Sequence, residues 1–518
     1  MMAAERLSTS WRLAGLLDGV VDVPDALDVP VSGLVADSRE ILPGQIFVAR
    51  RGATTDGARF LNDAVAAGAV ALVREGEPGC RRRGDGVVEV RVPDVVACTG
   101  LLASRFFDHP SRALEVIGIT GTNGKTSVAH FIAQAIDMAL DMAAASAEGE
   151  KACGVLGTLG YGLHGALRPS RLTTPDAIAV HGQLAELRGL GARKVVMEVS
   201  SHALDQGRVA CVDFDGAVFT NLSRDHLDYH GGMQAYGDAK RKLFDCTALR
   251  YAVINEDDAY GGQLLERRRA PVQTVAYGVE THGEAASAPR NTPWLRGRVT
   301  NPGHSAITLS VRGSFGEGRL ATGLLGRFNA YNLLAALGVL LCMEWPLATA
   351  LQRLACVQAP AGRMQRFGGD AGEPLVVVDY SHTPDSLARA LESLRGQCGG
   401  KLWCVFGAGG DRDRGKRPMM GAAAAALADA IVLTDDNPRG ENGDRIIDDI
   451  RGGIPEGFQV LSDRDRAAAI RLAVAGAAAD DVVLVAGKGH ENYQESGGRR
   501  LPFSDAAAVR AALEAERA

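Results

Sequence analysis

The strongest constraint on this chain is an octapeptide, Thr120-Gly-Thr-Asn-Gly-Lys-Thr-Ser127, set between two apolar patterns of different period. Before it, residues 115–120 read Glu-Val-Ile-Gly-Ile-Thr, a short buried strand. After it, Val128, Ile132, Ala135 and Ile136 recur at helical spacing. A turn containing Gly121 and Gly124 lets the backbone curl so that the N–H groups of Thr122, Asn123, Lys125, Thr126 and Ser127 can face phosphate oxygens. Lys125 then suits β- and γ-phosphates, and the Thr126 hydroxyl suits Mg²⁺. The strict phosphate-loop pattern needs a glycine where this chain has Ile119, so the loop is a variant. An ordinary glycine turn is the competing reading. Gly, Lys and Thr in order, between strand and helix, favour the phosphate loop.

The chain has 518 residues, which at about 150 per domain predicts three domains. Its net charge of −6 argues against a nucleic-acid partner, whose binding rests on phosphate neutralisation. No apolar run approaches the ~18 residues of a membrane span. The first residues carry Glu5 and Asp18 around a short apolar stretch, unlike a signal peptide. The expectation is a cytoplasmic monomer with no membrane span. The nine cysteines form no CxxC pair and read as buried reduced thiols. Only eight of the 56 basic residues are Lys, and four of these, Lys125, Lys240, Lys416 and Lys488, fall inside polar motifs.

Strands are expected at 45–49, 87–92, 194–199, 216–221 and 251–255, with a helix near 60–67 and a linker at 108–111. Residues 283–320 read as β-hairpins at a domain edge, and the Ala-rich runs 143–147 and 422–426 as helical. A boundary falls at Ala359-Pro-Ala-Gly362. Beyond it, strands at 374–379, 401–406, 430–434 and 481–486 alternate with helices at 385–394, 419–428, 464–475 and 505–515. This rhythm is Rossmann-like but lacks a GxGxxG first turn. The predicted class is α/β with three domains. These are a mixed α/β N-terminal domain (1–112), a central P-loop parallel-sheet domain (113–361) and a Rossmann-like C-terminal domain (362–518).

Two further polar clusters follow predicted strands, where α/β sheets bind ligands. In Met197-Glu-Val-Ser-Ser-His-Ala-Leu204, Glu198 is a candidate Mg²⁺ ligand; the bland reading makes it a surface acid and the serines helix caps. Asn221-Leu-Ser-Arg-Asp-His-Leu-Asp-Tyr-His230 groups two histidines with two aspartates. Either histidine alone reads as an ordinary loop residue. Lys240, alone, reads as a solvated helix residue.

Together these motifs resemble the Mur ligase family of ATP-dependent amide-forming enzymes. Thr120–Ser127, 198–202, 221–230, Phe328-Asn-Ala-Tyr-Asn332 and Gly362-Arg363 occur in the family's order, spanning nearly the whole chain. Within the family the chain resembles the branch that adds 2,6-diaminopimelate. That likeness rests on Thr173-Thr-Pro-Asp176, Gly409-Gly-Asp-Arg-Asp-Arg-Gly-Lys416, Asp435-Asp-Asn-Pro-Arg439 and Gly487-Lys-Gly-His-Glu491.

The resemblance implies ATP and Mg²⁺ as cofactors, with UDP-N-acetylmuramoyl-L-Ala-D-Glu and meso-diaminopimelate as substrates. ATP converts the D-Glu side-chain carboxylate to an acyl phosphate, which the diaminopimelate amine then attacks. The uridine end falls to Ser38, Thr54 and Thr55, and the sugar-peptide to Thr173, Thr174, Ser200, Gln206 and Arg208. Asn329 or Asn332, with Arg363 and Asp379, match nucleotide-contacting positions. Thr126, Glu198, His226 and Lys240 match metal-binding positions, Lys240 as a carbamate; Lys125, Lys240 and His226 are the implied catalytic residues. Arg412, Asp436, Asn437, Pro438, Arg439, Gly487 and Glu491 match the diaminopimelate site. Arg439, buried and matched to the distal carboxylate, is expected to be left unpaired by lysine and to reject it by about 10⁴. Three alternatives remain open: an L-lysine-adding ligase of the family, a folylpolyglutamate synthetase-like ligase, and a regulatory P-loop NTPase.

Overall fold

The structure is a computed structural model that describes residues 11–52, 55–143, 153–170, 172–267, 270–280, 292–300, 307–369, 372–396 and 398–517. Thr54, the run 144–147 and parts of 283–320 lie outside the described residues. The chain forms two compact units. One comprises Met1–Thr120, Ile136–Val218 and Asp238–Tyr251; the other comprises Gly121–Ala135, Phe219–Gly237 and Ala252–Ala518.

In the first unit, Gly33–Val35, Gln45–Ala49, Ala71–Glu75 and Val88–Val92 pair in parallel, and Gly79–Arg82 closes the edge antiparallel. Val48, Val73 and Val90 pack with Leu13, Leu16 and Leu102. Asp94 caps the helix Val95–Phe106 by accepting from Val96 N and Ala97 N at 2.9 Å each. The expected linker at 108–111 is ordered. Pro110 and Ser111 are buried, and Ser111 Oγ accepts from Asp213 N. Lys194–Glu198 runs parallel to Glu115–Thr120 with Glu198 level with Ile119, so the carboxylate emerges at a strand C-terminus.

In the second unit, Leu375–Asp379, Val482–Ala486, Leu402–Phe406, Ala430–Leu433 and Val460–Ser462 lie in that order as a parallel sheet, with Gln365–Gly368 antiparallel at one edge. The last parallel strand in the chain, Val482–Ala486, sits between the first and second, an order different from the common dinucleotide-binding one. Alternate residues serve opposite cores. Val377, Cys404, Phe406 and Leu484 face Leu387, Leu391, Met420 and Ile450, while Val376, Val378, Val405 and Val483 face Ile470, Val474, Val509 and Leu513. Two covered faces explain why these strands read as unbroken apolar runs. Helix Gly443–Arg451 and strand Val460–Ser462 were not expected from the sequence.

The expected hairpins are present among the described residues: Trp294–Val299, Ile307–Gly313 and Gly316–Thr322 pair antiparallel. The central sheet is therefore mixed rather than purely parallel. Its reason is local, since two residues join Gly313 to Gly316 and parallel strands need a crossover of about a dozen. Gly160–Leu163 is also antiparallel to its neighbour. Among the described residues the cysteines are free thiols. Cys98, Cys153, Cys342 and Cys404 are buried as expected, but Cys211 and Cys356 are exposed.

Candidate active site

The phosphate loop is built against a second loop of its own unit. Thr122 N and Asn123 N donate to Asn221 O and Oδ1 at 2.8 and 2.9 Å, and Thr220 Oγ1 returns a bond to Asn123 O. Gly121 and Gly124 have φ of 148° and 87°, conformations that L side chains rarely adopt. The first intrahelical bond is Val128 N to Gly124 O, so the N–H groups of Lys125, Thr126 and Ser127 precede it. Lys125 Nζ donates to Gly121 O and Thr122 O, both at 2.9 Å. Tyr236, which sequence reasoning did not single out, touches Thr122 Oγ1 through its hydroxyl at 3.2 Å and packs its ring on His230.

Arg363 reaches the same loop. Its Nη2 donates to Thr126 Oγ1 at 3.1 Å, and its guanidinium lies 4.6 Å from the Tyr380 ring. Among the described residues Arg363 Nε is buried without a hydrogen-bond partner. Asp379 ends its strand and accepts from Met364 N and Ser381 Oγ, fixing the backbone beside Arg363. Asn332 Nδ2 donates to Asn329 Oδ1, and Asn329 Nδ2 to Leu325 O; both asparagines are buried.

The helix-start N–H groups and the orphaned Arg363 Nε fit a nucleotide phosphate. Among the described residues no group of three or more His, Cys, Asp or Glu is placed to hold a metal. The Thr126 hydroxyl belongs to the oxygen chemistry of Mg²⁺, which takes few protein ligands beside phosphates and waters.

Asp225 and His226 stand at the end of the Asn221 loop, with His226 Nε2 3.4 Å from Asp225 Oδ2. Burial raises the Asp225 carboxyl, but the charges of His226, His382 and Lys416 outweigh it and leave its pKa lowered. Lys416 Nζ donates to His382 O at 2.8 Å, and burial lowers its pKa. Burial also lowers that of His382, aided by Lys416. Tyr380 and His382 lie in Asp379-Tyr-Ser-His-Thr-Pro384 directly after a strand, a polar cluster whose position could have revealed them.

The residues matched to diaminopimelate gather at the C-terminal ends of the parallel strands. Asn437 Nδ2 and Lys488 Nζ both donate to Glu491 Oε2, at 2.8 and 2.7 Å. Gly487 has φ 119°, and a side chain there would press on Asp436 Oδ2. Pro438 O packs against Gly410, and Arg412 is exposed. Arg439 is not buried as expected, and it has protein partners of its own. Its side chain is 24 % exposed, Nη1 donates to Gly410 O, and Nε lies 3.6 Å from Glu495 Oε2. Glu495 sits on the hairpin Tyr493–Ser496 and Arg499–Pro502, whose backbone accepts from Arg439 N, a long-range pairing that the local pattern does not encode.

The first unit holds the remaining positions. Glu198 is 1 % exposed, not a surface acid, and accepts from Thr158 N at 2.8 Å and Thr158 Oγ1 at 3.1 Å. Thr158 Oγ1 also meets Thr173 Oγ1. Thr174 Oγ1 donates to Glu198 O and accepts from Ser200 N, while Ser200 Oγ caps its helix through Ala203 N. Arg208 binds Gln206 Oε1 and Thr174 O, and Arg50 Nη2 donates to Gln206 O. Arg50 was missed; burial lowers its pKa, opposed by Asp176 and Asp94. Ser38 is half-buried and Thr55 exposed. Lys240 is 1 % exposed, so it is not a solvated helix residue.

Three family models match in chain order: Mur ligase family, catalytic domain, over residues 30–106; Mur ligase middle domain over 119–340; and Mur ligase, glutamate ligase domain, over 362–489. The UDP-N-acetylmuramoyl-L-alanyl-D-glutamate–2,6-diaminopimelate ligase of Ectopseudomonas mendocina is 48 % identical over 94 % of this chain and 96 % of its own. A solved structure of a ligase of that name is 34 % identical with a TM-score of 0.67, covering 98 % of this chain and 100 % of its own. The MurF ligase of Thermotoga maritima, solved in complex with ADP, shares the fold at 17 % identity and a TM-score of 0.62, over 96 % and 100 % of the two chains. With matches to all three family models and 48 % identity over nearly its full length, the chain belongs to the Mur ligase family.

Proposed function

We propose that this chain is an ATP-dependent amide ligase that joins meso-diaminopimelate to UDP-N-acetylmuramoyl-L-Ala-D-Glu, releasing ADP and phosphate, in peptidoglycan precursor synthesis. The observation that carries this reading is the 48 % identity, over nearly the full length, to a ligase of that name. The domains are assigned as 1–112 for the UDP-sugar, 113–361 for ATP and 362–518 for the amino acid. The enzyme acts as a monomer in the cytoplasm.

The helix start at 125–127 and Gly124 cradle the phosphates, and Lys125 neutralises charge developing at the transferred group. Arg363, stacked on Tyr380 and held to Thr126, contacts the nucleotide. Asn332 shapes the loop from behind, supported by Asn329, and Asp379 fixes the backbone that carries Arg363. Thr173, Thr174, Ser200, Gln206 and Arg208 hold the sugar-peptide, with Ser38, Thr54 and Thr55 at its uridine end. Mg²⁺, when bound, supplies electrostatic stabilisation of phosphate charge; Thr126, Glu198, His226 and carbamylated Lys240 would hold it. Asp436, Asn437, Pro438, Arg439, Gly487, Glu491 and Arg412 orient diaminopimelate so that its amine meets the acyl phosphate without a competing water.

The test is ADP release and product mass with each acceptor and amino acid. ADP formation dependent on both substrates, with a tripeptide product mass, supports the ligase. Product with a folate acceptor instead, lysine in place of diaminopimelate, or ADP without amide, would each replace this reading.

A further inference from the structure

Lys488 has no exposed side-chain surface, and none of the roles above uses its ammonium. Its Nζ donates to Asn437 Oδ1 at 3.0 Å and to Glu491 Oε2 at 2.7 Å, and lies 5.5 Å from the Tyr493 ring centre. Asn437 closes the ring by donating Nδ2 to the same Glu491 Oε2 at 2.8 Å. Glu495 N is a second donor to Asn437 Oδ1, at 2.9 Å.

Two donors converging on one amide atom define it as the carbonyl end, because a flipped amide would set N–H against N–H. Lys488 thus fixes the amide's orientation and ties down one oxygen of Glu491. One polar group remains on each side chain: the second Nδ2 hydrogen of Asn437 and Glu491 Oε1. Among the described residues neither makes a further hydrogen bond. Glu491 is 18 % exposed, within reach of a ligand, whereas Lys488 and Asn437, at 0 % and 2 %, are sealed from one.

We infer that Lys488 is a positioning residue for the amino-acid substrate. It acts on Glu491, directly and through Asn437, holding the free carboxylate oxygen ready for a ligand's ammonium. This rests on the proposed amino-acid site. Without Lys488 the amide loses a donor that set its orientation, and Glu491 becomes free to change rotamer.

The test is Lys488→Met, which keeps the length and apolar stem. The KM for meso-diaminopimelate should rise about 10- to 100-fold, the range for loss of a charge-assisted hydrogen bond. The KM values for ATP and the sugar-peptide should stay near wild type. Lys488→Gln, which keeps a neutral donor, should recover part of the loss. Combined with Glu491→Gln, Lys488→Met should add little, since both act through one carboxylate. An unchanged diaminopimelate KM, equal rises in all three KM values, or independent multiplication of the two effects would overturn the role. Should the variants not fold, a crystal structure of the wild type with meso-diaminopimelate decides. A ligand ammonium on Glu491 Oε1 with the ring intact supports the role, and a ligand contacting Lys488 itself overturns it. A wild type that makes no diaminopimelate-containing product refutes the substrate reading, separately from a productive wild type beside a Lys488→Met enzyme of normal KM, which refutes Lys488 alone.

Discussion

Asn332 Oδ1 lies 2.5 Å from the point that a β-carbon on Gly124 would occupy. The phosphate loop and the helix Phe328–Cys342, far apart in sequence, meet there with no room for a methyl group. Gly124 is also held at φ 87°, so two independent constraints select glycine.

Gly124→Ala therefore has to move Asn332 and adopt a left-handed backbone, the second alone costing about 1–2 kcal/mol. The expected result is a lowered melting temperature with a raised KM for ATP. Calorimetry and steady-state kinetics check it, and an alanine enzyme with wild-type affinity for ATP would contradict the packing.

Lys125→Ala removes the Nζ hydrogen bonds to the loop carbonyls of Gly121 and Thr122. The variant should fold, by circular dichroism, and lose ligation by about 10³-fold or more, the scale of removing a preorganised charge at a phosphoryl transfer. Near-normal ATP-dependent turnover would remove Lys125 from the mechanism.

Lys240 is buried, where a neutral amine that takes up CO₂ becomes an anion able to ligate a cation. Lys240→Ala should be nearly inactive, and short carboxylates should restore part of the rate. Full activity of the alanine enzyme at low CO₂ would show that no carbamate is essential.

Glu495 lies beside the Arg439 guanidinium, so a lysine substrate does not leave that arginine without an anion. Discrimination against L-lysine should accordingly be about 10²–10³, less than a buried, unpaired charge would give. Arg439→Ala should lose most of it, and Glu495→Gln should sharpen it. The kcat/KM values for both amino acids in the three enzymes measure this; efficient use of lysine by the wild type would defeat it.

His490 is pushed down to about 3 from 6.5, first by burial and then by the charges of Arg363, His130 and Lys488. The unfolded chain takes up this proton near pH 6.5 and the folded one only near 3. Its contribution to stability is therefore complete above pH 6.5 and declines as pH falls from there towards 3. The slope is at most about 1.4 kcal/mol per pH unit, one proton's worth. His490→Gln should flatten acid unfolding curves by that amount, and an unchanged slope would place a charged histidine in the folded protein.

The sequence by itself determined the local elements and the chemical vocabulary. The strand–Gly-loop–helix at 115–136, the alternating strands after 374 and the polar clusters at strand ends were all legible, because each depends on period, turn residues and donor type within a dozen positions. The tertiary structure decided which of these residues are buried and what they touch. Lys240 looks solvated in isolation and Glu198 reads equally as a metal ligand or a surface acid, yet both are 1 % exposed, while Arg439 is expected buried and is 24 % exposed beside Glu495. Arg363 finds Thr126 across 237 residues, and Lys488 finds Asn437 across 51. Such pairings arise when the sheet brings its strand C-termini to one edge and the hairpin at 493–502 folds back on the 437–439 loop. No period or propensity encodes them, since burial and ion pairing depend on what the rest of the chain places alongside.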